Sequence, residues 1–232
     1  MKDFPLLEKK LGVKFKNKDL LKQAFVHRSY LNENPHLGLE QNERLEFLGD
    51  AVLELVITEH LYKEYPDKPE GELTNWRAAL VNAKMLAQIA QELGLNDFLL
   101  LSKGESKELG KARQYILANT FEAFVGALYL DSGYEPSDKF IQNCLMPKLP
   151  DIISKKLYKD AKSHFQEEAQ ERIGVTPIYK VVKEFGPDHK KKFTIGVYLK
   201  AEMIAQGEGF SKQEAEEEAA KAAIAIKKWT ID

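Results

Sequence analysis

Asn42-Glu43-Arg44-Leu45-Glu46-Phe47-Leu48-Gly49-Asp50 carries both a fold signal and a chemical one. Leu45 and Leu48, continued by Val52, Leu55 and Val56, recur at helical spacing. Glu43, Glu46 and Asp50 stand at i, i+3 and i+7 of the same helix. At ~100° per residue they fall within about 60° of one another on one face. Like charges so placed repel by ~0.2–0.5 kcal/mol per exposed pair. The rest of the circumference is largely apolar, so an acidic stripe here is costly unless it faces water or a cation compensates it. A merely solvated face explains the spacing equally well, and Glu54 and Glu59 lengthen the acidic surface in its favour.

A second acidic element lies in Ile116–Tyr129, where Asn119 and Glu122 sit at i and i+3 within a strongly apolar run. If the two helices pack side by side, Glu46, Asp50, Asn119 and Glu122 converge as an all-oxygen site. Oxygen donors without His or Cys suit Mg²⁺ or Mn²⁺. A di-iron carboxylate bundle wants Glu-x-x-His pairs, and these are absent.

Helical spacing extends over residues 1 to about 150, an estimate from pattern boundaries, through Leu20, Leu21, Ala24 and Phe25 and through Ala118, Phe121, Val125, Leu128 and Tyr129. Pro66, Pro69, Gly94, Gly104, Gly110 and Gly133 punctuate the runs. This part is expected to be all-α. Pro147 and Pro150 are expected to break the pattern, and Asp151–Asp160 to be a linker. A helix is then expected from near Asp160, followed by strands at Ile178–Phe185, Lys192–Leu199 and Glu202–Glu208. The second strand alternates Phe193, Ile195, Val197 and Leu199. Gly186-Pro187-Asp188 is turn chemistry. Ser211 and Glu214 form a capping box for a last helix whose stripe is Ala215, Ala219, Ala222, Ala223 and Ile226. The expected organisation is an all-α domain over 1–152, a linker over 153–159 and an α-β-β-β-α domain over 160–229.

Of the 232 residues, 44% are apolar and 30% charged. The 34 basic residues against 36 acidic ones give a net charge of −2, which excludes a uniformly basic coat and makes any basic surface local. The one cysteine, Cys144, excludes an intramolecular disulfide and a Cys-based zinc site. No apolar run approaches the ~18–20 residues that span a bilayer, and Met1–Phe15 has no uninterrupted apolar segment. A cytoplasmic protein with no membrane partner is expected.

Asn42–Asp50 and Ala118–Asp131 (ANTFEAFVGALYLD), with His27-Arg28-Ser29-Tyr30 and Glu70-Gly71-Glu72-Leu73-Thr74, resemble ribonuclease III. The resemblance implies an all-helical, homodimeric, Mg²⁺-dependent endonuclease of double-stranded RNA, with Mn²⁺ as a substitute. It further implies 5′-phosphate and 3′-hydroxyl products and a role in processing ribosomal and other structured RNA. Asp50, Glu122 and Glu43 would be catalytic, Glu46, Asp50, Asn119 and Glu122 would hold the metal, and Glu70 would be a supporting acid. At 119 the family usually has Asp. An amide oxygen still ligates a hard cation but brings no charge, so weaker Mg²⁺ binding and slower cleavage are expected. A duplex-RNA-binding protein with weakened or no catalysis is the alternative. His27 reads as structural, and Trp76 and Tyr62 as core or dimer contacts.

The tail resembles the double-stranded RNA-binding domain, through Lys162–Glu167, Thr176–Tyr179, Gly186–His189 and Gly207–Glu216. Such modules read duplex RNA by shape across its minor groove. By that resemblance Ser163, Gln166 and Gln170 on the first helix, His189 in the turn, and Ser211 and Lys212 at the last helix N-terminus would contact RNA. Gln213 stands where a second lysine is common, and Lys190, Lys191 and Lys192 are a compensating run or a solvated hairpin. Glu214, Glu216, Glu217 and Glu218 must point away from RNA.

Overall fold

The computed structural model describes residues 2–107, 109–154, 156, 158, 161–187 and 191–229. The chain divides into two compact units, Met1–Ile153 and Ser154–Asp232. In the first, the helices are α1 (Phe4–Leu11), α2 (Lys18–Gln23), α3 (Arg28–Glu33), α4 (Glu43–Glu64), α5 (Glu70–Val81), α6 (Ala83–Glu92), α7 (Lys111–Ser132), α8 (Tyr134–Leu145) and α9 (Leu149–Ser154). The all-α expectation holds, apart from an isolated parallel bridge between Val26 and Leu100.

The axis of this unit is the pair α4 and α7, each 22 residues long, or ~33 Å. Val52, Leu53, Val56 and Ile57 of α4 and Phe121, Phe124, Val125 and Leu128 of α7 are buried. Two carboxylates fasten the short N-terminal helices around this core. Buried Glu8 accepts the Phe15 N–H at 2.8 Å and the Lys18 ammonium at 2.6 Å. Asp131, at the end of α7, accepts the N–H groups of Lys16 and Asn17 at 2.9 and 2.6 Å. Trp76 is buried and meets the Tyr65 ring edge-on at 5.0 Å, whereas Tyr62 is exposed. The expected break holds at Pro147, where α8 has ended at Leu145, but not at Pro150. A single 3₁₀ turn, Met146–Lys148, runs into α9, which buries Leu149 and Ile152. Pro150 sits in the first turn, where its missing N–H costs no hydrogen bond. Helix α9 therefore covers the first two residues of the expected linker, and residues 155, 157 and 159 of that linker lie outside the described residues.

In the second unit, α10 (Ala161–Ile173) is followed by β1 (Ile178–Phe185), β2 (Lys192–Leu199), β3 (Glu202–Gly209) and α11 (Lys212–Lys227). The sheet is antiparallel in the order β1-β2-β3. Phe165, Val197, Leu199, Ile204, Ala219, Ala220, Ala223 and Trp229 form its core. A Cβ added to Gly207 would lie 2.1 Å from the Ala219 nitrogen, so α11 approaches β3 too closely for any side chain there. Two details differ from the sequence pattern. Ile226, expected in the buried stripe, is exposed, because α11 ends at Lys228 in the left-handed region and Trp229 turns back onto Phe165, 5.1 Å between ring centres. Ser211 caps α11 as expected, but Glu214 reaches the Phe210 N–H, one residue before the cap, at 2.9 Å. Among the described residues no helix is long and apolar enough to cross a membrane.

Candidate active site

Asn42 fixes where the acidic helix begins. Its buried side chain donates to the Ala24 carbonyl at 3.2 Å, and its own N–H donates to the Val26 carbonyl at 3.0 Å. Glu43 and Glu46 then fall in the first turn of α4, at the positive end of the helix dipole. Three residues further on, Gly49 meets Gly126 of α7. A Cβ on Gly49 would lie 1.8 Å from the Glu122 carbonyl oxygen, and one on Gly126 would lie 2.1 Å from the Leu45 carbonyl oxygen. The helices cross backbone to backbone at this point, and the crossing brings Glu46 and Asp50 to Asn119 and Glu122.

The electrostatics register this convergence. The Glu122 carboxyl is pushed up to about 8, first by burial and then by the negative charges of Asp50 and Glu46. Glu46 is also raised, by burial and then by Glu43, with Asp50 adding to it; a hydrogen bond from Asn119 works the other way. Among the described residues no Lys or Arg pairs with Glu46, Asp50 or Glu122. Nor, among those residues, do three His, Cys, Asp or Glu side chains stand at metal-ligand spacing. The carboxylates stand near enough for Asp50 and Glu46 to disfavour the Glu122 anion. As a donor set, three carboxylates and one carboxamide oxygen fit a hard divalent cation. Such a cation is also what their unbalanced charge calls for.

Glu43 stands at the edge of this group. It accepts from Gln41 at 2.9 Å and lies 4.0 Å from the Arg28 guanidinium. Glu70 is not brought to it. It lines a pocket of ≈680 Å³ at the far end of α4, with Tyr62, Lys68, Leu73 and Arg77.

A pocket of ≈320 Å³ adjoins the acids, lined by His27, Arg28, Asn42, Glu43, Glu46, Tyr115, Ile116 and Asn119. His27 caps α3, its Nδ1 accepting the Ser29 N–H at 3.3 Å, and Ser29 Oγ accepts the Ser102 N–H at 3.1 Å. Burial holds the His27 pKa below its ordinary value. The same Nδ1 lies 2.8 Å from Ser29 Oγ, so Ser29 holds the ring in place. Tyr115 had no signal of its own in the sequence. Apart from Ile116 and Asn119 on its own helix, its neighbours in this pocket come from His27–Glu46, far earlier in the chain, and only tertiary packing unites them.

In the second unit, Ser163, Gln166 and Gln170 share one exposed face of α10 and line a shallow recess with Glu167 and Glu171. Ser211 Oγ accepts the Glu214 N–H at 3.1 Å, so its oxygen serves the cap. Lys212 is exposed, with Nζ 5.8 Å above the Phe193 ring. The acids of α11 are occupied: Glu216 pairs with Lys162, and Glu217 and Glu218 with Lys221. The two described members of the lysine run are both in ion pairs. Lys191 pairs with Glu184 at 3.7 Å and Lys192 with Glu208 at 2.5 Å, and Lys190 and His189 lie outside the described residues.

Comparison with known proteins agrees with both halves. A family model described as Ribonuclease-III-like matches residues 17–149, and one described as Double-stranded RNA binding motif matches residues 161–227. Ribonuclease 3 of Desulforamulus reducens is 48% identical over 94% of this chain and 89% of its own length. That of Enterococcus faecalis is 44% identical over 94% of each. The chain belongs to the ribonuclease III family. Among solved structures, the nuclease domain of ribonuclease III from Campylobacter jejuni superposes with a TM-score of 0.58 at 40% identity, covering 64% of this chain and 99% of that one. This ribonuclease III chain is thus an endoribonuclease that cleaves double-stranded RNA, of a metal-dependent family, with a second unit that binds duplex RNA.

Proposed function

We propose that the chain is a Mg²⁺-dependent endoribonuclease, with Mn²⁺ able to substitute. It cuts duplex RNA to 5′-phosphate and 3′-hydroxyl ends, matures ribosomal and other structured RNAs, and works as a homodimer through its helical unit. The observation that carries the reading is the backbone-to-backbone crossing of α4 and α7, which sets Glu122 against Asp50 and Glu46 and pushes its carboxyl up to about 8. Glu46, Asp50, Asn119 and Glu122 would hold the cation, which when bound supplies Lewis acidity at the scissile phosphate. The carboxylates of Asp50 and Glu122 accept hydrogens of the attacking water and so orient its oxygen toward phosphorus. Glu43, at the pocket edge, orients the strand. Water adds to phosphorus, the P–O3′ bond breaks, and the 3′ oxygen leaves with a proton. Ser163, Gln166, Gln170, Ser211 and Lys212 contact the duplex. All five are exposed, and the neighbouring acids Glu216, Glu217 and Glu218 are tied up in ion pairs.

The test is incubation of a perfect RNA duplex with Mg²⁺ and, in parallel, Ca²⁺, with both ends mapped. Cleavage to 5′-phosphates in Mg²⁺ is expected; binding with no cut in any Mg²⁺ concentration would overturn the reading. Asn119 supports a weakened-catalyst variant, because it is the one member of the set that cannot ionise. Asn119→Asp is expected to lower the Mg²⁺ concentration for half-maximal cleavage by roughly 10-fold, the scale of one added charge contact. Identical Mg²⁺ titrations of the two proteins would remove that idea.

A further inference from the structure

The pocket beside the acids has a cationic member that the reaction as derived leaves idle. Arg28 contributes the guanidinium to its lining. Its side chain is 74% exposed, and among the described residues its ion pair is with Glu43 at 4.0 Å, too long for a hydrogen bond. The planar fork is therefore uncommitted, and it has the geometry that matches two oxygens of one phosphate. Tyr115, also exposed, lines the same pocket one turn before Asn119 on α7. His27 also lines the pocket, its ring held through Nδ1 by Ser29. The opposing chemistry explains why such a group is needed. A strand entering the site brings phosphates toward Glu43, Glu46, Asp50 and Glu122, and no Lys or Arg pairs with the last three. A cation among those acids answers the scissile phosphate alone, and the neighbouring phosphate still faces negative side chains.

We infer that Arg28, with the Tyr115 ring packed on the adjoining ribose, grips the backbone phosphate next to the scissile one in the strand being cut. The inference rests on the endoribonuclease reading above, which supplies the RNA. Arg28 is then a binding and positioning residue. The competing role, a partner for Glu43 that merely pins α3 to α4, has a different signature: it moves stability, not phosphate affinity.

The experiment uses the full chain and duplexes in which single phosphates along one strand are replaced by neutral methylphosphonates. Binding is measured in Ca²⁺ and cleavage in Mg²⁺. Arg28→Ala is expected to weaken binding ~10-fold and to raise KM by a similar factor, with kcat and Tm kept. Its salt dependence should be shallower by ~0.9, one phosphate contact on the B-DNA scale. Arg28→Lys should recover part of the loss. One methylphosphonate position should weaken the wild type by the same factor and cost Arg28→Ala nothing more. Wild-type affinity in Arg28→Ala, losses that add at every position, or a Tm that falls in step with affinity would each overturn the assignment. If the wild type binds but never cuts, the endoribonuclease reading fails while the binding cycle still reports on Arg28.

Discussion

Glu122 shows how far one side chain records the demands of its site. Its pKa in the folded chain is about 8, against an ordinary glutamate value of 4.5, because burial and the charges of Asp50 and Glu46 disfavour the anion. A carboxyl raised by folding contributes stability that is complete below pH ~4.5, fades as the pH rises, and is gone above pH ~8. The cation-free protein should therefore lose stability across that window relative to Glu122→Gln. The difference should reach ~1–2 kcal/mol after solvent screening is allowed for. Urea denaturation in EDTA at pH 5 and pH 8.5 reads it directly; an equal gap between the two proteins at both pH values would show that the acids do not feel one another. Asn119 moderates the same repulsion. Its amide hydrogen bond to Glu46 lowers a pKa that an aspartate at that position would raise further.

The crossing that creates this neighbourhood belongs to two helices, and two glycines make it. A glycine in a helix interior costs ~1 kcal/mol relative to alanine, and at Gly49 and Gly126 the close approach of α4 and α7 leaves no room for any larger residue. Gly126→Ala puts a methyl 2.1 Å from the Leu45 carbonyl oxygen. It should cost roughly 3 kcal/mol in overpacking and spread the acids, so that Mn²⁺ affinity falls more than stability alone explains. Denaturation and a Mn²⁺ titration monitored by electron paramagnetic resonance test the two effects, and a fully stable Gly126→Ala would sink the argument. The acidic spacings on each helix, the strand alternation around Phe193–Leu199 and the Ser211 cap were legible because each is local. Helix α9 was not, since prolines read as punctuation also suit a first helical turn. Nor was the burial of Ala220 in place of Ile226, which depends on where Trp229 folds back. The pocket uniting Arg28 with Tyr115 had no local signal at all, because only tertiary packing joins its parts.

At the scale of the assembly, what remains is the outward face of α4. Phe47, Leu55 and Tyr62 are 82%, 56% and 74% exposed. Their spacings of eight and fifteen residues return each to within ~80° of the first, so they form one apolar stripe about 22 Å long. The ≈680 Å³ pocket lined by Thr58, Tyr62, Leu73, Thr74 and Arg77 lies at the end of α4 remote from Phe47. If two copies associate through this stripe, as proposed above, a two-fold axis would set each copy's Phe47 against the other's pocket. Burying a phenylalanine is worth ~2 kcal/mol, and symmetry counts it twice, so Phe47→Ala should raise the dimer dissociation constant ~1,000-fold. Because Glu46, Asp50, Asn119 and Glu122 come from one chain, the dissociated protomer should keep its divalent-cation affinity. With one centre per particle it should nick duplex RNA where the proposed dimer would cut both strands. Sedimentation velocity over a concentration series, with end mapping on the same samples, joins the two statements. A Phe47→Ala protein that sediments as the wild type does, or a monomer that still makes paired cuts, would place the two-fold contact on some other face.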